Sequence, residues 1–509
     1  MSALLFALLL AAFGDDVGAK IREFEKYYGD RNEHVRKAAV YDLSLLDDPA
    51  AVDPMLKALG DSSEIVKEEA TRGLARFRSE EALDLLVRRL EKDRPAPETA
   101  GAILESFKTT RPGSAYDAVL ALAEKGPFET KVVATELIGV YPSREGRSEA
   151  LLEKLASDRE TLVRLAAIDS MGKIGAATLS SVALERLERD PEWRVRAAAI
   201  ETLRRLRTKD AVAPLIAALE REDGRLRDDC QAALVDLSGD AVAADTPEKW
   251  REWWNRVGDT FTVPSLEEVA ARKKKQADAM KVYAPPSRKG YAPFVGIETR
   301  SKRILFVIDV STSMSERLVL SSKDPARLAA FRERFGDYDT KIELAREELI
   351  ETVAALEPHV RFNIATLHSV VDPWKDDLVP ATAGSKSAAI KFLADLTPEK
   401  ITAIGTSARD TGRTSTFDAL NFAFGLTKTP SPRPSKSHKV ESDTVFFLSD
   451  GMPTAGRIQD PGEIVRYFRT INARARIVFH TITFGHGNES LMRPIAELSG
   501  GQYLVISLD

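Results

Sequence analysis

Three short stretches of this chain end on oxygen-bearing side chains. "RILFVIDVSTSM" runs from Arg303 to Met314: the apolar residues Ile304 to Ile308 lead into Asp309, and Ser311 and Ser313 follow at every second position. "FFLSDGMPT" leaves a second apolar run at Leu448 and presents Asp450 before Gly451, while "TGRTSTFDAL" brings Thr414 just ahead of a helical pattern. Together they offer two carboxylates and three hydroxyls, with no thiol or imidazole among them. Hard oxygen donors of this kind select magnesium, manganese or calcium over zinc or copper. Taken alone, the first stretch has a plainer reading, in which Asp309 caps a turn and the serines bond nearby backbone amides.

For these residues to meet, the elements carrying them must deliver them to one edge. From Ser301 onward short apolar, β-branched runs ("RILFVID", "RFNIATLHS", "DTVFFLSDG", "RIVFHTITFG", "QYLVIS") alternate with helical patterns such as "KIELAREELIETVAAL", "TFDALNFAFGL" and "EIVRYFRTI". That alternation predicts an α/β, doubly wound, mostly parallel sheet covered on both faces. Ligand sites in such sheets lie at the C-terminal ends of the strands, where Asp309, Ser311, Ser313 and Asp450 are expected.

The half before it repeats itself. "VRKAAVYDL" from Val35, "VKEEATRGL" from Val66, "VRLAAIDSM" from Val163, "VRAAAIETL" from Val195 and "LRDDCQAAL" from Leu226 share apolar first and ninth residues, and weaker copies begin near Thr99 and Val132. The period is 31 to 33 residues, giving about seven units. Second amphipathic stretches, "AVDPMLKAL" and "AVAPLIAAL", lie between copies, so each unit is a helix pair. One pair cannot bury its own apolar face, and an all-α solenoid of stacked pairs follows. Trp250, Trp253 and Trp254 then recur at helical spacing, a stripe that fits a cap over the end of the stack. Arg272 to Lys275 and "YAPPSRKGYAPF" read as a basic spacer and an extended connector. The expected division is a possible signal peptide at 1–14, a solenoid with its Trp-rich cap at 15–258, a linker at 259–300 and the sheet domain at 301–509.

These features resemble two known families. The periodic half is similar to HEAT repeats of the short bacterial kind. The region from 301 onward resembles the von Willebrand factor type A domain with its metal-ion-dependent adhesion site: Asp309, Ser311 and Ser313 meet the Asp-x-Ser-x-Ser pattern, Met314 follows, Thr414 matches the family's threonine and Asp450 its distal aspartate. The resemblance implies a Rossmann-like sheet and a Mg2+ site (or Mn2+ or Ca2+). The serines and threonine would ligate the cation, and the aspartates would do so directly or through water. A cation held mainly by neutral hydroxyls keeps positive potential for an Asp or Glu of a protein partner. Two departures stand out. Arg413 replaces the usual second glycine ahead of the threonine, and the chain ends at Asp509 right after the "QYLVIS" strand, so the family's final helix and any integrin-like switching are not expected.

Composition narrows the rest. A formal charge of -5, from 73 cations and 78 anions, gives no global attraction to nucleic acid. A single cysteine, Cys230, excludes an internal disulfide framework and cysteine-rich zinc sites. The apolar run Ala3 to Phe13 is too short to span a bilayer; it fits a secretory signal and export, although it lacks basic residues before it, and an apolar first helix is the alternative. No later segment is a transmembrane candidate. A phosphoester hydrolase of the haloacid dehalogenase type also begins with an Asp at a strand end, but it needs a second acid two residues on, where this chain has Ser311. His480 inside an apolar strand reads as a core residue and His486 as a turn residue. The expectation is therefore a non-enzymatic binding or adhesion protein, with a purely structural scaffold as a further alternative. Insertions at Ser315 to Asp339 and before Thr414 would enlarge the binding rim.

Overall fold

The computed structural model describes residues 17–239, 246–271, 292–318, 338–405, 412–426, 434–435, 439–485 and 488–506. The apolar run at 1–14, the basic run Arg272 to Lys275, His486 and the loop segments 319–337, 406–411, 427–433 and 436–438 lie outside them. The chain divides into two compact units, 1–208 with 433–435, and 209–432 with 436–509.

Among the described residues the first unit is built of six helix pairs, from 17–28 with Glu33–Leu43 to Ser180–Arg189 with Trp193–Leu206. The second helix of each pair carries the repeated motif. In Glu64–Leu74, Val66, Ala70 and Leu74 form one buried stripe at helical spacing. Thr161–Ile174 is buried along most of its length, because an inner helix of a stack has neighbours on several sides. The turns between paired helices repeat one device. Asp61, Asp158 and Asp190 each accept the amide two residues ahead (Ser63, Glu160, Glu192) and each pairs with a cation of the preceding unit (Arg36, Lys131, Arg164). The carboxylate thus turns the chain into the next helix and ties neighbouring repeats together.

The second unit opens with a seventh pair, α1 (Val212–Arg221) and α2 (Gly224–Ser238), followed by α3 (Pro247–Val257). Trp250 on α3 is fully buried and donates from its indole to Gln231 on α2 at 2.8 Å; Trp253 stacks edge-on against it. The expected aromatic cap is therefore a packed element lying on this pair, and both belong to the second compact unit. Asp228 on α2 accepts from the backbone and side chain of Arg300 at 3.0 Å, and Asp223 pairs with Lys302.

Part of the expected linker is structured as well. Strands β1 (Ala292–Phe294) and β2 (Ile297–Thr299) form a hairpin whose turn residues, Val295 and Gly296, both have positive φ, 50° and 82°. Phe294 packs edge-on against Phe306 and Phe446 in the core of the main sheet.

That sheet contains β3 (Arg303–Asp309), β4 (Arg361–Leu367), β5 (Val371–Pro373), β6 (Val379–Pro380), β7 (Thr444–Leu448), β8 (Val478–Phe484) and β9 (Tyr503–Ile506). The order is β5-β4-β3-β7-β8-β9, with β6 also on β4; β5 and β6 are antiparallel edge pieces and the other five strands are parallel. Successive strand residues face opposite layers. Ile304, Phe306 and Ile308 pack with α4 (Lys341–Ala355) and α5 (Ala383–Ala394), while Leu305 and Val307 share a core with α7 (Thr416–Ala423), α8 (Pro461–Ala475) and α9 (Glu489–Ser499). A short α6 (Pro398–Gly405) precedes α7. This is the doubly wound arrangement that the alternation of elements predicts.

Candidate metal centre

Numbered among the parallel strands alone, the order is 2-1-3-4-5, so the direction of winding reverses between β3 and β7. A crevice opens at the C-terminal edge where the order reverses, because the flanking connections leave toward opposite faces. Asp309 ends β3 and Asp450 lies just beyond β7, so both carboxylates sit at that edge.

Asp309 is fully buried. One of its oxygens accepts the Ser311 amide at 2.8 Å and the other the Ser449 hydroxyl. The turn-capping reading of Asp309 therefore holds, and it fixes the carboxylate instead of competing with a ligand role. The Ser311 and Ser313 hydroxyls are 3.1 Å apart, and the Ser313 Oγ donates to Asp450 Oδ1 at 2.8 Å. Thr414 arrives from the third loop. Its carbonyl accepts the amides of Thr454 and Ala455, and the Thr312 amide donates to the Gly412 carbonyl at 3.2 Å, which closes this loop onto the first. A Cβ on Gly451 would lie 3.4 Å from Thr414 Oγ1 and 3.9 Å from Ser313 Oγ, so both hydroxyls border the Asp450 loop and glycine leaves them room. The five residues singled out by sequence thus come together at the sheet edge.

The electrostatics suit a cation. Burial, reinforced by the negative charge of Asp450, pushes the Asp309 pKa up to about 6 despite bonds from Ser311 and Ser449. A divalent ion between the two carboxylates would relieve both penalties. Among the described residues no three His, Cys, Asp or Glu side chains cluster with metal-binding geometry, so any cation held here would depend on the hydroxyls as well. Hard neutral oxygens beside two carboxylates fit magnesium or manganese.

Three contributors escaped the sequence reading. Ser449 holds Asp309, and Asn488, fully buried, donates to the Gly451 carbonyl at 2.6 Å and fixes the Asp450 loop. Lys341, the first residue of α4, donates to Asp450 Oδ2 at 2.6 Å, to Glu316 Oε2 at 2.9 Å and to the Ser313 carbonyl at 3.3 Å. Burial alone would lower the lysine pKa, yet the bonds to Asp450 and Glu316 outweigh it and hold it above the usual value. The spacing of 28 residues between Ser313 and Lys341, filled by the insertion, hides this contact from a motif search. Ser449 was visible only as the neighbour of Asp450.

Arg413 is exposed beside the site, its amide on the Ser369 hydroxyl at 3.3 Å. His480 is a core residue as expected: it stacks on Phe446, accepts the Gln502 amide at 3.1 Å, and burial, then the charge of Arg225, lowers its pKa to about 4. The position two residues beyond Asp309 holds the Ser311 hydroxyl, so it supplies no acid for phosphoester hydrolysis.

The family models agree with this architecture. Residues 339–505 match the family model of the von Willebrand factor type A domain, and residues 21–107 and 180–246 match HEAT repeats. Inter-alpha-trypsin inhibitor heavy chain H4 of Homo sapiens is 27% identical over 161 residues, which are 32% of this chain and 13% of that protein. Heavy chain H1 of Mesocricetus auratus is 26% identical over 186 residues, 36% of this chain and 16% of that one. The chain thus spans less than a fifth of the length of these curated relatives. Among solved structures, a von Willebrand factor type A protein from Catenulispora acidiphila aligns with a TM-score of 0.27 at 16% identity, over 41% of this chain and 39% of that chain. The chain carries N-terminal HEAT repeats followed by a von Willebrand factor type A domain.

Proposed function

We propose that the type A domain is a divalent-cation-dependent binding module that captures an acidic group of a protein partner, and that the helical repeats supply a second interaction surface. The observation that carries this reading is the meeting of Asp309, Ser311, Ser313, Thr414 and Asp450 at the winding reversal of the sheet, where contacts join the first loop to residues 100 and 137 positions further along the chain. Asp309 and Asp450 would hold Mg2+ or Mn2+ with the three hydroxyls. When bound, such an ion supplies a Lewis-acidic centre that an incoming carboxylate can complete. The chain's own residues do the rest. Ser449 and the Ser311 amide orient Asp309, Asn488 fixes the Asp450 loop, and Arg413 adds positive charge at the rim.

The role is non-enzymatic in this reading, because Ser311 stands where phosphoester hydrolysis needs an acid. Export is part of the proposal and rests on the apolar run Ala3 to Phe13. No helix among the described residues is long and apolar enough to cross a membrane. The test is partner capture from native extract on immobilised full-length protein, with magnesium or with a chelator. Magnesium-dependent capture lost in Asp309→Ala supports the reading; equal capture under both conditions refutes it, and metal-dependent phosphoester turnover abolished in Asp309→Asn replaces it with a hydrolase.

A further inference from the structure

The Lys341 ammonium is already a cation in contact with this site. Its position is set by the start of α4: Thr340 and Glu343 form a reciprocal capping box, and the Lys341 amide donates to the Glu316 carbonyl at 3.3 Å. The backbone of Lys341 is therefore tied to the end of the Ser313 loop, and the side chain has a short, fixed reach. Asp450, with a side chain only 1% exposed, gives one oxygen to Ser313 and the other to Lys341. Both oxygens are thus engaged by the chain itself. Glu316 is 66% exposed and holds the same ammonium at 2.9 Å, so it can keep the lysine without a desolvation penalty of its own.

We propose that Lys341 is a built-in counter-cation that competes with the divalent ion for Asp450 and passes to Glu316 when the ion binds. This rests on the cation-binding reading above. The physical reason is charge: two buried carboxylates without a cation repel each other, and an ammonium on Asp450 keeps the ion-free pocket stable. The same charge lowers affinity for an ion that must share Asp450. The lysine thereby turns a tight site into a weaker, reversible one and is a positioning and affinity-setting residue instead of a ligand.

The test uses the full chain as wild type, Lys341→Met and Glu316→Gln, with MgCl2 and MnCl2 titrated calorimetrically and thermal unfolding followed in chelator and in saturating magnesium. The methionine keeps the apolar stem and removes the charge. Lys341→Met is expected to bind magnesium about tenfold more tightly than wild type. Its unfolding midpoint should fall in chelator and recover with magnesium, a crossover that mere loss of packing would not give. Glu316→Gln, which leaves the ammonium no second carboxylate, should bind severalfold more weakly. Wild-type binding with unchanged or weaker binding by a folded Lys341→Met overturns this inference alone. Absence of binding in every form overturns it together with the proposed function.

Discussion

The helical repeats and the sheet domain use the same chemical groups to opposite ends. In the repeats a buried or half-buried carboxylate is matched to a cation 25 to 27 residues away, as in Arg36 with Asp61, Lys131 with Asp158 and Arg164 with Asp190. Each such Asp also accepts a backbone amide, so its charge is neutralised locally and its role ends with holding neighbours together. At the sheet edge Asp309 is buried with hydroxyls and another carboxylate, and its contacts come from as far as 140 residues along the chain. It is held in place and left electrostatically unsatisfied. A buried acid with a matched base is a structural device; a buried acid facing a second acid invites a cation.

The comparison breaks most sharply under mutation. Arg164→Ala strips the partner from an Asp190 side chain that is fully buried, and should destabilise the repeats by about 3–5 kcal/mol while leaving cation binding in the sheet domain intact. Thermal and denaturant unfolding, with magnesium titration alongside, measures both. Removing the charge of Asp309 should act the other way. Because its pKa stands near 6, Asp309→Asn is expected to stabilise the protein in chelator by about 3 kcal/mol at neutral pH while abolishing magnesium stabilisation. A loss of stability in chelator would contradict the account of an unsatisfied acid.

The pH response sharpens the contrast within the sheet domain. Asp309 has a raised pKa, so its folded form holds a proton that the unfolded chain has released, and its penalty grows as pH rises from about 4 to about 6. His480 has a lowered pKa, near 4; it stays neutral in the fold while the unfolded chain takes up a proton below about 6.5, so stability is lost as pH falls. The two contributions, each about 3 kcal/mol, oppose one another in chelator. If magnesium binds as proposed, saturating it should remove the Asp309 penalty and expose the acid sensitivity of His480. Unfolding midpoints between pH 4 and 7, with and without magnesium, read this directly, and His480→Phe should flatten the magnesium curve. The smallest effect belongs to exposed pairs of the repeats: Arg147→Ala, half-exposed opposite Asp117, should shift stability by no more than about 0.5 kcal/mol.

What was legible in the sequence follows the range of the interactions involved. The repeats were readable because Val66, Val163 and Val195 recur at multiples of the repeat length and each is fully buried. Asp309, Ser311 and Ser313 were readable because they leave one strand together. Lys341 was not, since an insertion separates it from the loop it touches and nothing in a helix-starting lysine marks a contact with Asp450. The β1–β2 hairpin was hidden for a local reason. Its turn places Val295, a β-branched residue, at positive φ, where asparagine or glycine is the usual signal, and the flanking Pro and Gly residues read as a connector. That α1 and α2 belong to the second compact unit was hidden as well, because contacts such as Asp228 with Arg300 obey no period.

The most direct test is calorimetric titration of wild type, Asp309→Ala and Asp450→Ala with magnesium and manganese, with circular dichroism to show that the helical repeats stay folded. The account predicts saturable binding to the wild type and none to either variant. Equal binding by all three, or none by the folded wild type, would contradict it.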